Sequence, residues 1–348
     1  MPARQRIAQE IEREGGWIPF ARYMQLALHE PGLGYYAGGA RKFGPQGDFV
    51  TAPELGALFG RTLARQLGAI PGGRILELGA GSGALAETLL RSLDCEYFIL
   101  ETSAELRQRQ RKRLPSEVIF VDELPTNFKG AIIANEVADA MPVHVVHWTG
   151  QGILERGVSA QFQWVDKPAT GALLELSREI QVPAPYISEI SLLATPWMRS
   201  LVQALGEGAI FVIDYGFPRH EYYHPQRAGG TLMCHYRHQA HGDPFSHPGE
   251  EDITAHVDFS ALARAALEAG AQVLGYATQA QFLVNCGITD VLGEANIENA
   301  LHYAPIAAQA QKLLSPAEMG ELFKVLAVGK GLDAPLLGFS SGDRSHTL

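Results

Sequence analysis

The glycine pattern of residues 75–85, ILELGAGSGAL, constrains the fold of this chain more than any other feature. A short apolar run leads into three glycines at alternate positions, Gly79, Gly81 and Gly83, and a helix-forming stretch follows. Glycines at these positions let the backbone turn tightly and approach a ligand closely, because no side chain intervenes. A strand, turn and helix in this order predict a nucleotide-like ligand at the carboxyl end of the strand, held by these glycines and Ala80.

Two acidic residues indicate which ligand this is. Glu101 ends the next predicted strand, about 18 residues beyond the last glycine, where its carboxylate can accept the hydroxyl protons of a ribose. Glu77 precedes the first glycine by two positions, and an acid there favours a ligand with an ammonium and a sulfonium over a pyrophosphate. We therefore expect S-adenosylmethionine (SAM) as the cofactor. The spacing also satisfies the GxGxxA dinucleotide pattern that ends at Ala84, so an NAD-dependent oxidoreductase is an alternative.

Short apolar runs alternate with helical patterns after residue 71, which is typical of an open parallel sheet with crossover helices. Strands are predicted at 74–78, 96–101, 118–121, 131–134, 209–214, 272–278 and 323–330. Helices are predicted at 4–14, 17–29, 83–93, 103–113, 196–205 and 258–269, and one more starts at Thr51, which can cap it, and runs to Leu67.

The same patterns predict six segments. These are an N-terminal helical and glycine-rich loop region at 1–70, the first part of the ligand-binding core at 71–142, an inserted cap or substrate region with an antiparallel meander at 143–206, the second part of the core at 207–278 with a loop at 215–257, a helical insertion and the last core strand at 279–332, and a tail at 333–348.

Charge and cysteine usage bear on partners and compartment. The chain has 28 Lys and Arg against 38 Asp and Glu, a formal net charge of −10, which disfavours binding to nucleic acid or to anionic membranes. Its three cysteines show no CxxC spacing, which argues against a disulfide framework and fits a reducing compartment. No apolar run approaches the ~18 residues of a membrane helix, and the N-terminus mixes Arg and Glu, unlike a signal or transit peptide. We expect a cytoplasmic protein that does not insert into membranes.

Several further motifs resemble those of one family. They are GYY at 34–36, GDFVTAPE at 47–54, ELGAGSGALA at 77–86, NEVADAMPVH at 135–144, IDYGFPRHEYYHPQR at 213–227, GDPF at 242–245 and DITAHVDF at 252–259. Together they resemble the MidA-like family of class I SAM-dependent methyltransferases, which includes a mitochondrial complex I assembly methyltransferase. The resemblance spans about residues 5–330. It departs from the family at Val137-Ala138, where bulkier residues are common.

This resemblance implies an α/β fold, with a Rossmann-like class I methyltransferase sheet, an N-terminal helical region and inserted cap elements. It also implies protein arginine N-methylation on a partner protein. We expect a protein substrate, and the sequence is compatible with a homodimer. A noncatalytic SAM-binding assembly factor that keeps the fold for partner docking is an alternative.

Acidic residues after the later strands are candidates for orienting the acceptor. A guanidinium is a poor nucleophile until carboxylates hold it in a fork and localise its charge away from one nitrogen. Glu136 and Asp139 follow the fourth strand of the predicted sheet, and their i,i+3 spacing puts them on one face if the segment is helical. We expect this pair to orient the acceptor, unless the two residues cap a helix and face water, and we expect Asn135 to contact cofactor or backbone. Asp214 ends the fifth strand and holds the acceptor or closes the site, unless it is a turn former.

Other candidates have weaker patterns. Asp122 and Glu123 follow the third strand, where they would meet the adenine amino group unless they form an exposed acidic turn. The repeated histidines at 235, 238 and 241 lack an acid or cysteine at metal-site spacing, so we expect no metal. This histidine-containing loop, together with Tyr35, Tyr36 and Phe49, is expected to line a peptide channel, against the alternative that the aromatic residues are ordinary core.

Overall fold

The computed structural model describes residues 2–38, 51–296 and 299–348. Phe49 and the second half of the glycine-rich loop lie outside the described residues, so the expectation for them stays a prediction.

The helices are α1 (Ala3–Arg13), α2 (Phe20–His29), α3 (Ala52–Leu55), α4 (Ala57–Leu67), α5 (Ala84–Ser92), α6 (Ala104–Arg113), α7 (Gly171–Arg178), α8 (Ala194–Ala204), α9 (Arg219–Tyr222), α10 (Phe259–Glu268), α11 (Gln279–Asn285), α12 (Ile288–Gly293) and α13 (Ala300–Leu314). The strands are β1 (Trp17–Pro19), β2 (Arg74–Leu78), β3 (Glu96–Leu100), β4 (Ile119–Val121), β5 (Phe128–Asn135), β6 (His144–Thr149), β7 (Gly152–Ser159), β8 (Trp164–Pro168), β9 (Tyr186–Ile190), β10 (Leu205–Phe217), β11 (Met233–Tyr236), β12 (Gln239–His241), β13 (Asp252–Thr254), β14 (Val257–Asp258), β15 (Gln272–Thr278) and β16 (Phe323–Lys330). Short 3₁₀ turns lie at Pro225–Arg227, Leu337–Phe339 and Ser345–Thr347.

The chain forms two compact units, and each consists of three segments. Unit 1 comprises Met1–Phe49, Asp139–Pro196 and Phe217–Asp258. Unit 2 comprises Val50–Ala138, Trp197–Gly216 and Phe259–Leu348. This division differs from the sequence-based segmentation at residues 51–70 and 197–206, which belong to unit 2, and at residues 139–142 and 217–258, which belong to unit 1.

Unit 2 is built on one sheet with the strand order β4-β3-β2-β5-β10-β16-β15. The strands from β4 to β10 are parallel, and α helices connect several of them, which confirms the predicted α/β class. The sheet departs from an all-parallel arrangement at β16, which is antiparallel to both neighbours. Its sequence could not reveal this, because a buried strand is a continuous apolar run in either direction.

The core of unit 2 contains the apolar faces of α4, α5 and α11 and the centre of the sheet. The helix predicted from Thr51 to Leu67 is interrupted at Gly56, whose φ of 145° is outside the helical range. A side chain at this position would also collide with Gln309. Thr51 makes no side-chain cap, so the cap predicted at this residue is wrong.

Unit 1 contains an antiparallel sheet with the order β1-β7-β6-β9, and β8 also pairs with β7. The predicted meander of the 143–206 segment is therefore present. Residues 17–19 were predicted as helix, but they form β1, which pairs with β7 at Ile18 and Val158. The helix begins only at Phe20, because the residue before Pro19 is disfavoured in the helical conformation.

A second, three-stranded sheet of unit 1 has the order β12-β11-β13 and lies in the segment predicted as a loop. The turn between β11 and β12 consists of Arg237 and His238, with φ values of 49° and 63°. Two consecutive residues with positive φ fit a tight hairpin turn, for which Asn-Gly is the usual sequence. The hairpin was missed because Arg-His carries no such signal.

The C-terminal residues pack within unit 2. Phe339 stacks edge-on against Phe282 with ring centroids 5.3 Å apart, and a Cβ at Gly275 would collide with its ring. Across the residues that the structure describes, we find no helix with both the length and the apolar character needed to span a bilayer.

Candidate functional site

The carboxyl ends of the parallel strands in unit 2 meet at one edge of the sheet. The register pairs Leu78 with Leu100 on one side and with Ala134 on the other, and Ala134 in turn pairs with Val212. Polar residues that follow or end these strands are therefore neighbours in space. In open α/β sheets this edge is where ligands bind.

The glycine loop between β2 and α5 has the conformation that its sequence predicts. Gly79, Gly81 and Gly83 have φ values of 60°, 54° and 81°, all in the left-handed region that disfavours other residues. The Gly79 amide donates to the Leu100 carbonyl at 2.9 Å and fixes the start of the loop. Ala80, which lies within the loop, is buried. The backbone of the loop thus lies at the strand edge with no large side chain above it.

A cavity of about 260 Å³ opens beside this loop, entirely within unit 2. Its lining is mostly apolar and comprises Leu78, Gly79, Leu100, Thr102, Leu124, Val137 and Trp197. Such a slot suits the flat, apolar face of a purine. Among the residues predicted from sequence, Gly79 lines the cavity. Thr102 and Leu124 also follow strand ends, but the sequence signal there was the charge of the neighbouring Glu101, Asp122 and Glu123. Trp197 belongs to a remote segment, and nothing in the sequence links it to the loop.

Glu77 is the next-to-last residue of β2 and is 3% exposed. Its Oε2 accepts a hydrogen bond from the Tyr97 hydroxyl at 2.8 Å. Burial raises its pKa to about 7, the Tyr97 hydrogen bond lowers it, and the nearby Glu101 charge raises it. A carboxyl group with this pKa is incompletely ionised at neutral pH, and a cation placed next to it would favour the carboxylate.

Glu101 follows β3 and is also buried, and Gln110 of α6 fixes its side chain. Its Oε1 accepts from the Ser103 amide and its Oε2 from Gln110 Nε2, both at 2.9 Å. The same Gln110 amide donates to the Gly81 carbonyl at 2.9 Å, so it links the carboxylate to the glycine loop. Burial raises the pKa of Glu101, and these backbone and side-chain donors lower it. The Gly81 and Thr102 amides also donate to this carboxylate, so a ribose hydroxyl would have to share its acceptor positions with four protein donors.

Asp122 and Glu123 are both exposed. The Asp122 carboxylate forms an ion pair with Arg107, whose hydrogen bond and charge lower the pKa of the aspartate. The neighbouring Leu124 turns into the cavity instead. The exposure of Asp122 and Glu123 fits the alternative stated from the sequence, that these residues form an exposed acidic turn.

Asn135 and Glu136 directly follow the core of β5. Asn135 Nδ2 donates to Glu136 Oε1 at 3.1 Å, and the Glu136 amide donates to the Ile213 carbonyl at 2.9 Å. Glu136 has a φ of 54°, which is uncommon for a residue other than glycine. The segment 136–139 is therefore bent and not helical, so the helical face predicted for Glu136 and Asp139 does not form. Glu136 belongs to unit 2, whereas Asp139 is buried in unit 1.

Asp214 is completely buried near the end of β10. Its Oδ2 accepts from the Ala138 amide at 3.0 Å, and its Oδ1 accepts from the Tyr215 amide at 2.9 Å. These bonds attach the segment after β5 to the end of β10. The carboxylate is thus placed to hold the backbone on which Glu136 and the cavity residue Val137 lie.

Glu54 contacts the glycine loop, although the sequence did not single it out as a site residue. The Ser82 hydroxyl donates to Glu54 Oε1, and Arg113 Nη1 donates to the same hydroxyl at 3.0 Å. A carboxylate and a guanidinium therefore fix the side chain between Gly81 and Gly83. The TAPE sequence at 51–54 was the available signal, but it was interpreted as a helix cap.

Comparisons with known proteins agree with this geometry. A family of S-adenosyl-L-methionine-dependent methyltransferases matches residues 58–277. The chain belongs to this methyltransferase family. A member of the COG1565 superfamily from Burkholderia thailandensis was crystallised with S-adenosyl-homocysteine (SAH). It is 48% identical to this chain and superposes with a TM-score of 0.95, over 99% of this chain and 96% of that one.

Curated relatives of this methyltransferase cover most of its length. The protein arginine methyltransferase NDUFAF7 of Xenopus tropicalis is 28% identical over 93% of this chain and 86% of its own. The human protein of that name is 27% identical over 90% of this chain and 80% of its own. Both names carry the word mitochondrial.

The residues of the methyltransferase fit SAM, its cofactor. The glycine loop leaves open backbone where a side chain would intrude, the adjacent slot is apolar, and the buried Glu77 and Glu101 lie beside them. The NAD alternative is therefore set aside. In this assignment the cavity residues would hold the adenosine, Glu101 the ribose and Glu77 the cationic part.

The aromatic and histidine residues predicted to line a channel lie in unit 1. Tyr35 is buried in the core of that unit, and Tyr36 donates from its hydroxyl to Asp252 Oδ1 at 2.8 Å. His235 lies on β11, His238 lies in the exposed hairpin turn, and His241 approaches Glu251 at 3.1 Å. Within the described ranges, no group of three or more His, Cys, Asp or Glu side chains is arranged to hold a metal ion.

Proposed function

We propose that this methyltransferase transfers the methyl group of SAM to an arginine side chain of a partner protein. The observation that carries the proposal is the position of Glu136, a half-buried carboxylate held with positive φ one residue before the cavity residue Val137. The names of the curated relatives, which specify protein arginine methylation, support it.

SAM supplies a methyl group on a positively charged sulfur. The acceptor nitrogen must gain this carbon and lose one proton in the course of the reaction, so the protein has to orient a guanidinium and tolerate its charge. Glu136 can accept two hydrogen bonds from the guanidinium fork and localise the cation away from the reacting nitrogen. Asn135 holds the Glu136 carboxylate through its side-chain amide. Because positioning is the main contribution in a displacement of this kind, small shifts of Glu136 are expected to lower the rate.

The acceptor class can be tested without knowing the partner. The purified protein is incubated with methyl-labelled SAM and protein extract from cells that lack it, and labelled proteins are hydrolysed in acid to amino acids. We expect the label in methylated arginine. Label in methylated lysine, in a base-labile methyl ester or in nucleic acid would contradict the proposal, as would SAH binding without any labelled product.

A pair of variants links the product to Glu136. Glu136→Gln keeps the size of the side chain but removes its charge, so we expect it to slow transfer about tenfold or more while SAH affinity stays unchanged. Glu207→Gln is the matched control, because Glu207 lies at the opposite end of β10 and pairs with Lys129 on the surface. Equal rates for the two variants would remove Glu136 from the proposal.

The compartment and the assembly state are further proposals. The three free cysteines fit a reducing compartment and hence the cytoplasm, although the relatives carry mitochondrial in their names. Fractionation of the native cells would decide the compartment, and light scattering of the purified protein would decide between monomer and homodimer.

A further inference from the structure

Strand β16 carries a lysine among the apolar residues of the sheet. Lys324 is 3% exposed and follows Phe323, and the strand continues with Val325 and Leu326, which are both buried. A lysine is almost never buried to this extent unless a neighbouring group compensates its charge. The function proposed above does not use this residue.

The compensating group is opposite it in the sheet. The antiparallel register of β10 and β16 pairs Asp214 directly with Lys324. Directly paired residues on antiparallel strands project from the same face, with Cβ atoms about 4.5–5.5 Å apart. Asp214 is itself 0% exposed, so a buried carboxylate and a buried ammonium-bearing side chain lie side by side.

The lysine head group lies at the edge where the site is built. Lys324 Nζ donates to the Glu321 carbonyl and, at 3.4 Å, to the Leu322 carbonyl, both just before β16 begins. The start of β16 is adjacent to the end of β10, since Tyr215 pairs with Phe323. The ammonium is thus held at the level of the strand ends and not in the middle of the sheet.

Asp214 connects this lysine to the segment after β5. Its two oxygens accept from the amides of Ala138 and Tyr215, and Ala138 follows Glu136 and Val137 in sequence. An ionised carboxylate accepts hydrogen bonds more strongly than a neutral one, and a nearby cation favours the ionised form.

We propose that Lys324 is a positioning residue for methyl transfer, which keeps Asp214 ionised and oriented so that Asp214 holds the backbone from Asn135 to Ala138. Lys324 stands on β16, whereas the glycine loop, Glu77 and Glu101 lie on or directly after β2 and β3. The link to Glu136 rests on the proposed function, whereas the pairing of Lys324 with Asp214 does not.

Amide hydrogen exchange tests the pairing without any acceptor. In Lys324→Met, which keeps an unbranched side chain only one atom shorter, we expect the Ala138 and Tyr215 amides to exchange about tenfold faster than in the wild type. Amides in the centre of β5, such as that of Ile132, should keep their rates. Lys324→Arg keeps the charge and should restore most of the protection.

The chain offers a matched control on the same strand. Lys330 also donates from Nζ to two carbonyls, those of Val202 and Leu205, but Gly208 is opposite it instead of an acid. Lys330→Met should leave the Ala138 and Tyr215 amides unchanged. Equal acceleration in Lys324→Met and Lys330→Met would overturn the proposal, because the effect would then come from losing any strand lysine.

Binding and turnover separate positioning from a structural role. For Lys324→Met we expect SAH affinity within about threefold of the wild type, and about tenfold slower labelling of extract protein at saturating SAM. A loss of SAH affinity that matches the loss of rate would contradict a positioning role. If labelled arginine is never found but the exchange results hold, the acceptor proposal fails and the lysine pairing stands.

A double variant covers the case in which Lys324→Met does not fold. Asp214→Asn combined with Lys324→Met removes both charges, so it should fold and should be no worse than either single variant. Additive losses from the two changes, in exchange or in unfolding midpoint, would show that the residues act independently and would overturn the proposal.

Discussion

Two buried glutamates, one in each unit, look alike by burial and differ in their hydrogen bonds. Glu77 of unit 2 is 3% exposed and Glu189 of unit 1 is 2% exposed, and burial raises the pKa of both. Glu189 accepts from the Thr231 amide and hydroxyl, from the Leu232 amide and from the Tyr222 hydroxyl. Among the described residues, Glu77 accepts from Tyr97 alone.

The number of hydrogen-bond donors separates a structural carboxylate from one that can bind a ligand. Glu189 is saturated by the loop that it anchors, so it has little capacity left for another donor. Glu77 lies beside the glycine loop with most of its acceptor capacity unused, which costs stability in the free protein. Burial alone would assign both to a functional site, whereas the count of donors assigns only Glu77 to one.

Removing the saturated carboxylate should have the largest effect. Glu189→Ala leaves the Thr231 and Leu232 amides without their acceptor, so we expect the free energy of unfolding of unit 1 to fall by about 3 kcal/mol. Urea unfolding followed by tryptophan fluorescence measures this, because Trp17, Trp148 and Trp164 all belong to unit 1. Glu175→Ala on α7 is the control, since Glu175 is exposed and pairs only with Arg178 among the described residues. An equal loss of unfolding free energy in the two variants would contradict the assignment of Glu189 as a structural carboxylate.

Removing the charge of Glu77 should stabilise the free protein. Its pKa is about 7 in the fold against 4.5 in the unfolded chain, so the unfolded chain releases its proton first as the pH rises. The wild type therefore loses stability between pH 4.5 and about 7, and Glu77→Gln should not. We expect the variant to be more stable by about 3 kcal/mol at pH 8 and equal to the wild type below pH 4.5, as measured by urea unfolding.

The same variant should bind SAM more weakly if Glu77 faces the cationic part of the cofactor. Titration calorimetry at pH 8 should show an affinity lower by about tenfold or more. A variant that is more stable and binds equally well would mean that Glu77, like Glu189, serves only the fold.

Glu101 borders the glycine loop and already accepts from four donors, the amides of Gly81, Thr102 and Ser103 and the side chain of Gln110. Glu101→Ala should weaken SAH binding by about 1.5 kcal/mol if the carboxylate also accepts the ribose hydroxyls. The exposed Glu117→Ala is the control, and calorimetric titration of both with SAH is the measurement. Unchanged affinity in Glu101→Ala would limit this residue to holding Gln110 and the glycine loop.

The smallest expected effect is on SAH affinity, and it compares an apolar residue of the cavity lining with an exposed acid. Leu124→Ala removes part of the cavity lining, so it should weaken SAH binding by about 1 kcal/mol. Asp122→Ala should leave the dissociation constant unchanged, because Asp122 is 86% exposed and paired with Arg107. Weaker SAH binding in Asp122→Ala than in Leu124→Ala would instead support the sequence-based prediction that Asp122 contacts the adenine.

Much of unit 2 could be predicted from sequence, because its strands are short apolar runs and its glycine loop has strict backbone requirements. All seven predicted strands are present, and the loop residues have the left-handed conformations that only glycine adopts easily. The direction of β16 could not be predicted, since its partners are far apart in sequence. The β11–β12 hairpin was missed because Arg237 and His238 adopt positive φ without the usual turn residues.

The site was predictable in its backbone and less so in its side chains. The strand ends predicted the correct edge of the sheet. The acidic residue Asp122 at one of these ends was, however, interpreted as a ligand contact. Asp122 turns outward, whereas Leu124, two positions later, turns into the cavity. Trp197 comes from a helix that follows a long insertion, and only tertiary packing brings it to the loop. The bend at Glu136 depends on a φ that helical spacing rules do not foresee.

The place of β16 in the sheet has a consequence for biosynthesis. Residues 323–330 form the strand between β10 and β15, so each of these two strands lacks one neighbour until the ribosome has made residue 330. Exposed strand edges invite pairing with other chains, and a nascent polypeptide presents them for as long as translation lasts. Chaperone capture during synthesis and aggregation of prematurely terminated products are the expected costs of this strand order.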